Sequence, residues 1–231
     1  MNIGAVILSR YSSSRLPGKA LMKINEYVTL EYIIERLTKV LDKDNIVVAT
    51  SNDKSDDKIA ELSNNLGVNC FRGSLTNVSE RFYLATVEQN WDYTIRINGD
   101  NILVDTNILS DMISITKNAK FDFISNVPNR TFPEGMSIEI IKTKYYGSTL
   151  NNINFSDYHK EHVTSYLYEY GTGKHHYIIN KELPKSNEMK LALDTQEDFD
   201  RIRNIILKFN KPHWMYNLHE IYEIWKGLEN E

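Results

Sequence analysis

The sequence predicts an α/β protein: a mostly parallel sheet, mixed at one end, with helices on both faces. Three observations carry this expectation. Short β-branched apolar runs alternate with helical patterns from residue 3 to about residue 117, the rhythm of strand–helix–strand units. The first runs are apolar at consecutive rather than alternate positions, as in strands buried on both faces. After about residue 122 the strict alternation gives way to short strand-like runs mixed with helices, which extends the same sheet with mixed direction.

Ile3–Leu8 is a short apolar run that empties into a polar loop over 9–18. Residues 29–41 carry Leu30, Ile33, Ile34, Leu37 and Leu41 at helical spacing. A buried strand follows at 46–50, a polar amphipathic helix at 56–66 and a strand at 68–71. The spacing predicts a helix over 77–89, with Asn77 as N-cap and Glu80 three residues on. Next come a strand at 93–97 and a helix at 106–117. Strand-like runs lie at 121–125, 137–141, 175–179 and 189–193, with helices at 142–151 and 157–170. Residues 195–209 and 217–228 read as closing helices. No linker rich in Pro, Gly or Ser interrupts the chain, so one domain over 1–231 is expected.

Composition narrows the function classes. The 231 residues carry 27 Lys and Arg against 31 Asp and Glu, a net charge of −4. A basic footprint for nucleic acid is therefore absent. The chain is 41% hydrophobic and 25% charged, which is ordinary for a soluble globular protein. A lone cysteine, Cys70, excludes an internal disulfide and a cysteine-rich zinc site. The start lacks a basic stretch before a long apolar run. No stretch reaches the ~18 uninterrupted apolar residues that a membrane helix needs. A cytoplasmic protein without membrane insertion is the expectation.

The loop Ser9-Arg10-Tyr11-Ser12-Ser13-Ser14-Arg15-Leu16-Pro17-Gly18-Lys19 follows the first strand directly. In open α/β sheets ligands sit beyond the carboxyl ends of strands. Backbone N–H groups here can cradle phosphate oxygens while Arg and Lys neutralise their charge. It is not a P-loop, because Ser13 and Ala20 stand where Gly and Ser or Thr are needed, and it lacks the dinucleotide fingerprint. On composition alone a solvated surface loop accounts for it equally well.

Asp100 closes Arg96-Ile97-Asn98-Gly99-Asp100 just past one strand, and Asp194 closes Leu191-Ala192-Leu193-Asp194 before a helix. If both strands run parallel, both carboxylates reach the rim that holds the loop. Two carboxylates beside a polyphosphate loop are a usual magnesium site. Taken singly, Asp194 also reads as a helix N-cap and Asp100 as a turn former.

Ser-Arg-x-x-Ser-Ser-Arg-Leu-Pro-Gly-Lys resembles the opening motif of sugar cytidylyltransferases, which include the deoxy-manno-octulosonate enzymes and, more closely, the spore-coat polysaccharide cytidylyltransferase-like proteins. Further segments match in order: Phe71-Arg72-Gly73-Ser74 with Glu80-Arg81-Phe82; Arg96 to Asp100; Pro133-Glu134-Gly135-Met136-Ser137-Ile138-Glu139; Glu161-His162-Val163-Thr164; and Leu193 to Phe199. The resemblance implies a glycosyltransferase-A-like fold, CTP and Mg2+ as ligands, and a CMP-linked product with release of pyrophosphate. By match, Arg10, Ser13, Arg15 and Lys19 would hold the triphosphate, Asp100 and Asp194 the metal, and Arg72, Ser74 and Asn98 would serve the nucleotide. Glu139 and His162 read either as residues that reach a sugar-like acceptor or, equally, as structural polar residues. Asn98 and Asn101 replace the Gln and Glu of the octulosonate branch, Leu103 stands where closer relatives often carry Pro, and Gln196 stands where Pro is usual.

Other signals are weaker. His159 with His162, and His175 with His176, lack further ligands for a zinc site. Cys70 ends a short strand and reads as a core residue. Tyr145, Tyr146, Tyr158, Tyr166, Tyr168 and Tyr170 read as half-buried packing, with a sugar-facing surface or a homodimer contact as the alternatives. Two other classes compete. One is a glycosyltransferase consuming a nucleotide sugar, against which Asn101 and Ile102 leave no second aspartate for its Asp-x-Asp motif. The other is a nucleotide-binding module without catalysis.

Overall fold

The computed structural model describes residues 1–118 and 120–230. The chain runs β1 (Ile3–Leu8), β2 (Lys23–Ile24), β3 (Tyr27–Val28), α1 (Thr29–Leu37), β4 (Ile46–Ser51), α2 (Asp57–Asn65), β5 (Asn69–Gly73), α3 (Val78–Glu88) and β6 (Tyr93–Asn98). It continues with α4 (Thr106–Thr116), β7 (Phe123–Ser125), β8 (Glu139–Lys142), α5 (Thr143–Ile153), α6 (Asp157–Glu161), α7 (Ser165–Tyr170), β9 (His175–Tyr177), α8 (Gln196–Leu207) and α9 (Leu218–Glu229).

Among the described residues the main sheet has seven strands in the order β5-β4-β1-β6-β8-β7-β9. β5, β4, β1 and β6 run parallel. β8 is antiparallel to both β6 and β7, and β9 pairs parallel with β7. This is the mostly parallel, mixed sheet expected. Both faces are covered. Ala5 and Ile7 of β1 pack with α1 and α4, while Val6 packs with Val78, Phe82 and Tyr146 on the other face. A further apolar cluster joins α8 and α9 to Ile24, Tyr32 and Leu103.

Sequential strands step outward from β1 to β4 and β5, and the chain then returns to place β6 on the other side of β1. That reversal opens a crevice beyond the carboxyl ends of β1 and β6, where ligands bind in such sheets. Leu8 pairs with Asn98, so the polar loop after β1 and the Gly99-Asp100 turn leave the sheet side by side. Gly99 donates its N–H to the Leu8 carbonyl at 2.8 Å. A Cβ there would lie 2.8 Å from that same oxygen, so only glycine permits the approach.

Three expectations are corrected. Residues 157–170 form two short helices, because Val163 is buried and the Tyr146 hydroxyl takes its carbonyl at 2.9 Å. This competes with a continuous helical ladder. Residues 189–193 form no strand, only a parallel bridge between Lys190 and Glu134, since their neighbour is itself a loop. The first helix ends at Leu37, and Lys39 and Val40 donate to Arg36 and Leu37 in tighter turns. The β2–β3 ribbon was not anticipated, because two residues per strand show no periodicity.

Candidate functional site

The loop after β1 is held from beneath. Asp56 is fully buried, accepts from the Ser51 N–H at 2.9 Å, and takes the Tyr11 N–H at 2.6 Å. Gly18, in left-handed conformation, donates to the Tyr11 carbonyl at 2.9 Å and closes the loop. Lys19 then begins a short helical turn, Lys19–Leu21.

The Lys19 ammonium donates to the Leu193 carbonyl at 2.7 Å, and reaches Asp194 at 3.2 Å and Asp100 at 3.4 Å. Arg15 pairs with the other Asp194 oxygen at 3.0 Å. The two aspartate segments are also joined, since Leu193 donates its N–H to the Asp100 carbonyl at 3.2 Å. Burial pushes the Asp100 carboxyl above the usual range and Asp194 adds to this, while Lys19 opposes it.

Asp194 is not the cap of α8. Thr195 is, accepting from the Asp198 N–H, while Asp198 accepts the Asp194 and Thr195 N–H groups at 3.2 and 3.0 Å. Gly135 sets the other border. Its φ is 93°, and a Cβ would lie 2.2 to 2.4 Å from the Leu191–Ala192 backbone. The Pro133-Glu134-Gly135 turn therefore presses on the segment that delivers Asp194.

These groups line a cavity of about 400 Å³ that contains Arg10, Ser13, Arg15, Lys19, Asn98, Asp100, His162 and Asp194 of the expected set. Arg10 pairs with Glu161 and donates to the Leu75 carbonyl at 3.3 Å. Arg72 and Ser74 are not in the lining. The Arg72 guanidinium is taken up by the Ser51 and Asp53 carbonyls at 2.9 and 2.7 Å and by Asp57 at 2.6 Å. Ser74 accepts the Asn77 N–H at 2.9 Å. Both brace the turns around the loop. Glu139 lies beneath the cavity, buried, paired with Arg96 and accepting the Tyr168 hydroxyl at 2.6 Å.

Arg81, Arg96 and Glu161 also line the cavity and were not singled out as site residues. An arginine within an amphipathic helix reads as a surface cation. The available signal for Arg96 was strand alternation, which puts it on the same face of β6 as Asn98.

Two carboxylates and a carbonyl converge on one ammonium, a hard-oxygen donor set that suits Mg2+ when phosphate and water complete the shell. Among the described residues no group of three or more His, Cys, Asp or Glu could hold a metal, so the protein's share of such a site is these two carboxylates. Cys70 is half-buried and burial pushes its thiol up, which does not suit a nucleophile. No described helix is long and apolar enough to cross a membrane.

A cytidylyltransferase family model matches residues 5–224. The chain belongs to the cytidylyltransferase family. It is 36% identical to an uncharacterized protein of Methanocaldococcus jannaschii, over 86% of this cytidylyltransferase and 81% of that protein. It is 27% identical to the spore coat polysaccharide biosynthesis protein SpsF of Bacillus subtilis, over 88% and 85% of the two chains. The structure of a cytidylyltransferase from Leptospira borgpetersenii superposes with a TM-score of 0.89 at 28% identity, covering 100% of this chain and 96% of that one. The architecture is thus that of the nucleotidyltransferases, and this cytidylyltransferase carries its charged loop and paired aspartates at the switch point of the sheet.

Proposed function

We propose that this cytidylyltransferase prefers CTP, transfers its cytidylyl group to a small sugar-like acceptor, and serves surface polysaccharide synthesis. The observation that carries this reading is the convergence of Asp100, Asp194 and Lys19 beneath the Arg10–Arg15 loop. The spore coat role of the Bacillus relative supports the biological setting.

In this reading Arg10, Ser13, Arg15 and Lys19 hold the triphosphate. Asn98, at the end of β6, faces the nucleoside, and Arg72 and Ser74 stiffen the turns that support it. Asp100 and Asp194 would hold Mg2+, which when bound would supply charge neutralisation at the phosphates. An acceptor oxygen forms its bond to the α-phosphorus as the bond to pyrophosphate breaks. Lys19 and Arg15 take up the charge that moves onto the leaving pyrophosphate. Arg10 leaves Glu161 for a phosphate oxygen. His162 lies on the acceptor side, and Glu139 acts through Arg96.

The test is pyrophosphate release from CTP and magnesium across a panel of acceptors. Release that depends on both CTP and an acceptor supports the reading. Release from no acceptor, or consumption of a preformed CMP-sugar instead, refutes it.

A further inference from the structure

A second cavity, of about 420 Å³, shares no lining residue with the catalytic crevice. It lies between the β2–β3 turn, the end of α8 and the helical turn His213–Met215. Tyr27, Tyr32, Phe209, His213 and Trp214 line it. The ring centroids of Tyr27 and Tyr32 are 5.5 Å apart, those of Tyr32 and His213 4.5 Å, and those of His213 and Trp214 5.0 Å, at interplanar angles of 56 to 78°. The rings therefore meet as walls rather than as a stack. The His213 wall is anchored, since the His213 and Tyr216 carbonyls accept from the fully buried Arg36.

The surroundings of these rings are electronegative. Glu35, followed by burial, Glu26 and Glu31, pushes the Tyr27 hydroxyl above its ordinary range. Among the described residues no lysine or arginine pairs with any of the three carboxylates. Glu31 accepts the Val28 N–H at 3.4 Å, and Glu35 has the His213 Nε2 at 2.8 Å. Burial and then Glu31 push the Glu35 carboxyl up, against Lys39 and Lys43. His213 brings no charge to this pair, because burial, then Arg36 and Lys39, pull its pKa down to about 3. A carboxylate only accepts, so Nε2 carries the single ring proton and Nδ1 keeps a bare lone pair. His213 is 5% exposed, and its Nδ1 has no partner. Lys211 also lines the cavity, but Glu220 neutralises it. Lys39 shows what these rings attract: its ammonium lies 4.0 Å from the Trp214 ring centroid. Lys39 is not part of the lining, so it meets that ring from outside the cavity.

We propose that this cavity is a second ligand site, for a small organic cation whose alkylammonium group sits among the aromatic rings. Ring faces, unpaired carboxylates and an imidazole lone pair share one preference, for positive charge. An alkylated ammonium suits them better than a hydrated metal ion, because its carbon surface gains from burial while the rings hold its charge. Glu26, exposed on the β2–β3 turn and part of the lining, supplies the counter-charge. The site stands apart from CTP and its acceptor.

The experiment titrates the full chain, without nucleotide and at constant ionic strength, with tetramethylammonium, with spermidine and with neutral tert-butanol. Affinity is read by calorimetry and melting temperature for the wild type, Glu26→Gln, Trp214→Leu and Trp214→Phe. The proposal expects saturable binding of at least one cation, with tert-butanol about tenfold weaker or more. Glu26→Gln should weaken that cation about threefold. Trp214→Leu should weaken it about tenfold, while Trp214→Phe keeps most of the affinity. The wild-type arm decides even if a Trp214 variant fails to fold. No saturable binding of either cation would overturn the site. Equal binding of tert-butanol would reduce it to an apolar cleft and overturn it too, as would folded variants that all bind the cation as the wild type does.

Discussion

Lys19 carries the sharpest consequences of the site. It is the cation that now neutralises Asp100 and Asp194. Lys19→Met should lower turnover at saturating CTP by ~10²-fold or more, as for one missing donor in a preorganised site. The same change should strengthen Mg2+ or Mn2+ binding to the nucleotide-free protein, because the two carboxylates lose their competing ammonium. Calorimetric metal titration checks this, and an unchanged affinity would show that Lys19 does not compete with the ion. Asp100→Asn and Asp194→Asn should each remove most activity without adding in the double variant, since on the proposed function both would serve one metal. Melting temperature should change little for Asp194→Asn, because Thr195 does the capping. Near-normal pyrophosphate release in either single variant would take that residue out of the metal site.

Two supports of the Asp194 turn can be tested through the elements that they join. Asp198 of α8 accepts from Lys190 and Arg201 at 2.9 and 2.8 Å besides the two backbone N–H groups. Burial works against its charge, but the Lys190 and Arg201 hydrogen bonds outweigh it and hold the carboxyl down at about 2. The folded pKa lies below the unfolded one, so this stabilisation is present above the ordinary value of 3.8 and disappears as pH falls toward about 2. Acid unfolding followed by circular dichroism should therefore lose a component in that window, and Asp198→Asn should lack it. An unchanged acid transition would dismiss the role. Gly135→Ala sets a Cβ against the Leu191–Ala192 backbone in a left-handed conformation. It should cost at least about 2 kcal/mol in denaturant unfolding, and turnover should fall because the strain falls on the path to Asp194. A neutral effect on both would mean that the two segments separate freely.

Ligand binding at the crevice should stabilise the whole molecule, because α3, the loop after β1, the end of β6 and the segment that carries Asp194 all meet there. CTP with magnesium at ~100 times its dissociation constant should add roughly 2.7 kcal/mol. A thermal-shift series over CTP, ATP, GTP and UTP measures it, and an equal shift for ATP would remove the base preference. The crossover that places β6 beside β1 helps make this coupling possible, since Lys19 meets carboxylates 81 and 175 residues further along the sequence.

Much of this arrangement was legible in the residues. Consecutive β-branched runs, each followed by a helical pattern, predicted parallel strands buried on both faces. Parallel strands place their carboxyl ends on one rim, which brings the loop at 9–19 and Asp100 together, whereas Asp194 arrives on a loop tied to Glu134 by a single parallel bridge. The reason is that backbone direction and side-chain period are local properties. Partnership among charges is not. Whether Arg72 faces a ligand or is used up by Ser51, Asp53 and Asp57, and whether Arg81 lies on the surface or is buried without a counter-ion, depend on which distant segments pack around them. The break at His162 has the same origin, since a tyrosine from α5 takes the carbonyl that a longer helix would need. Burial and long-range hydrogen bonding decide such points, and a one-dimensional pattern does not contain them.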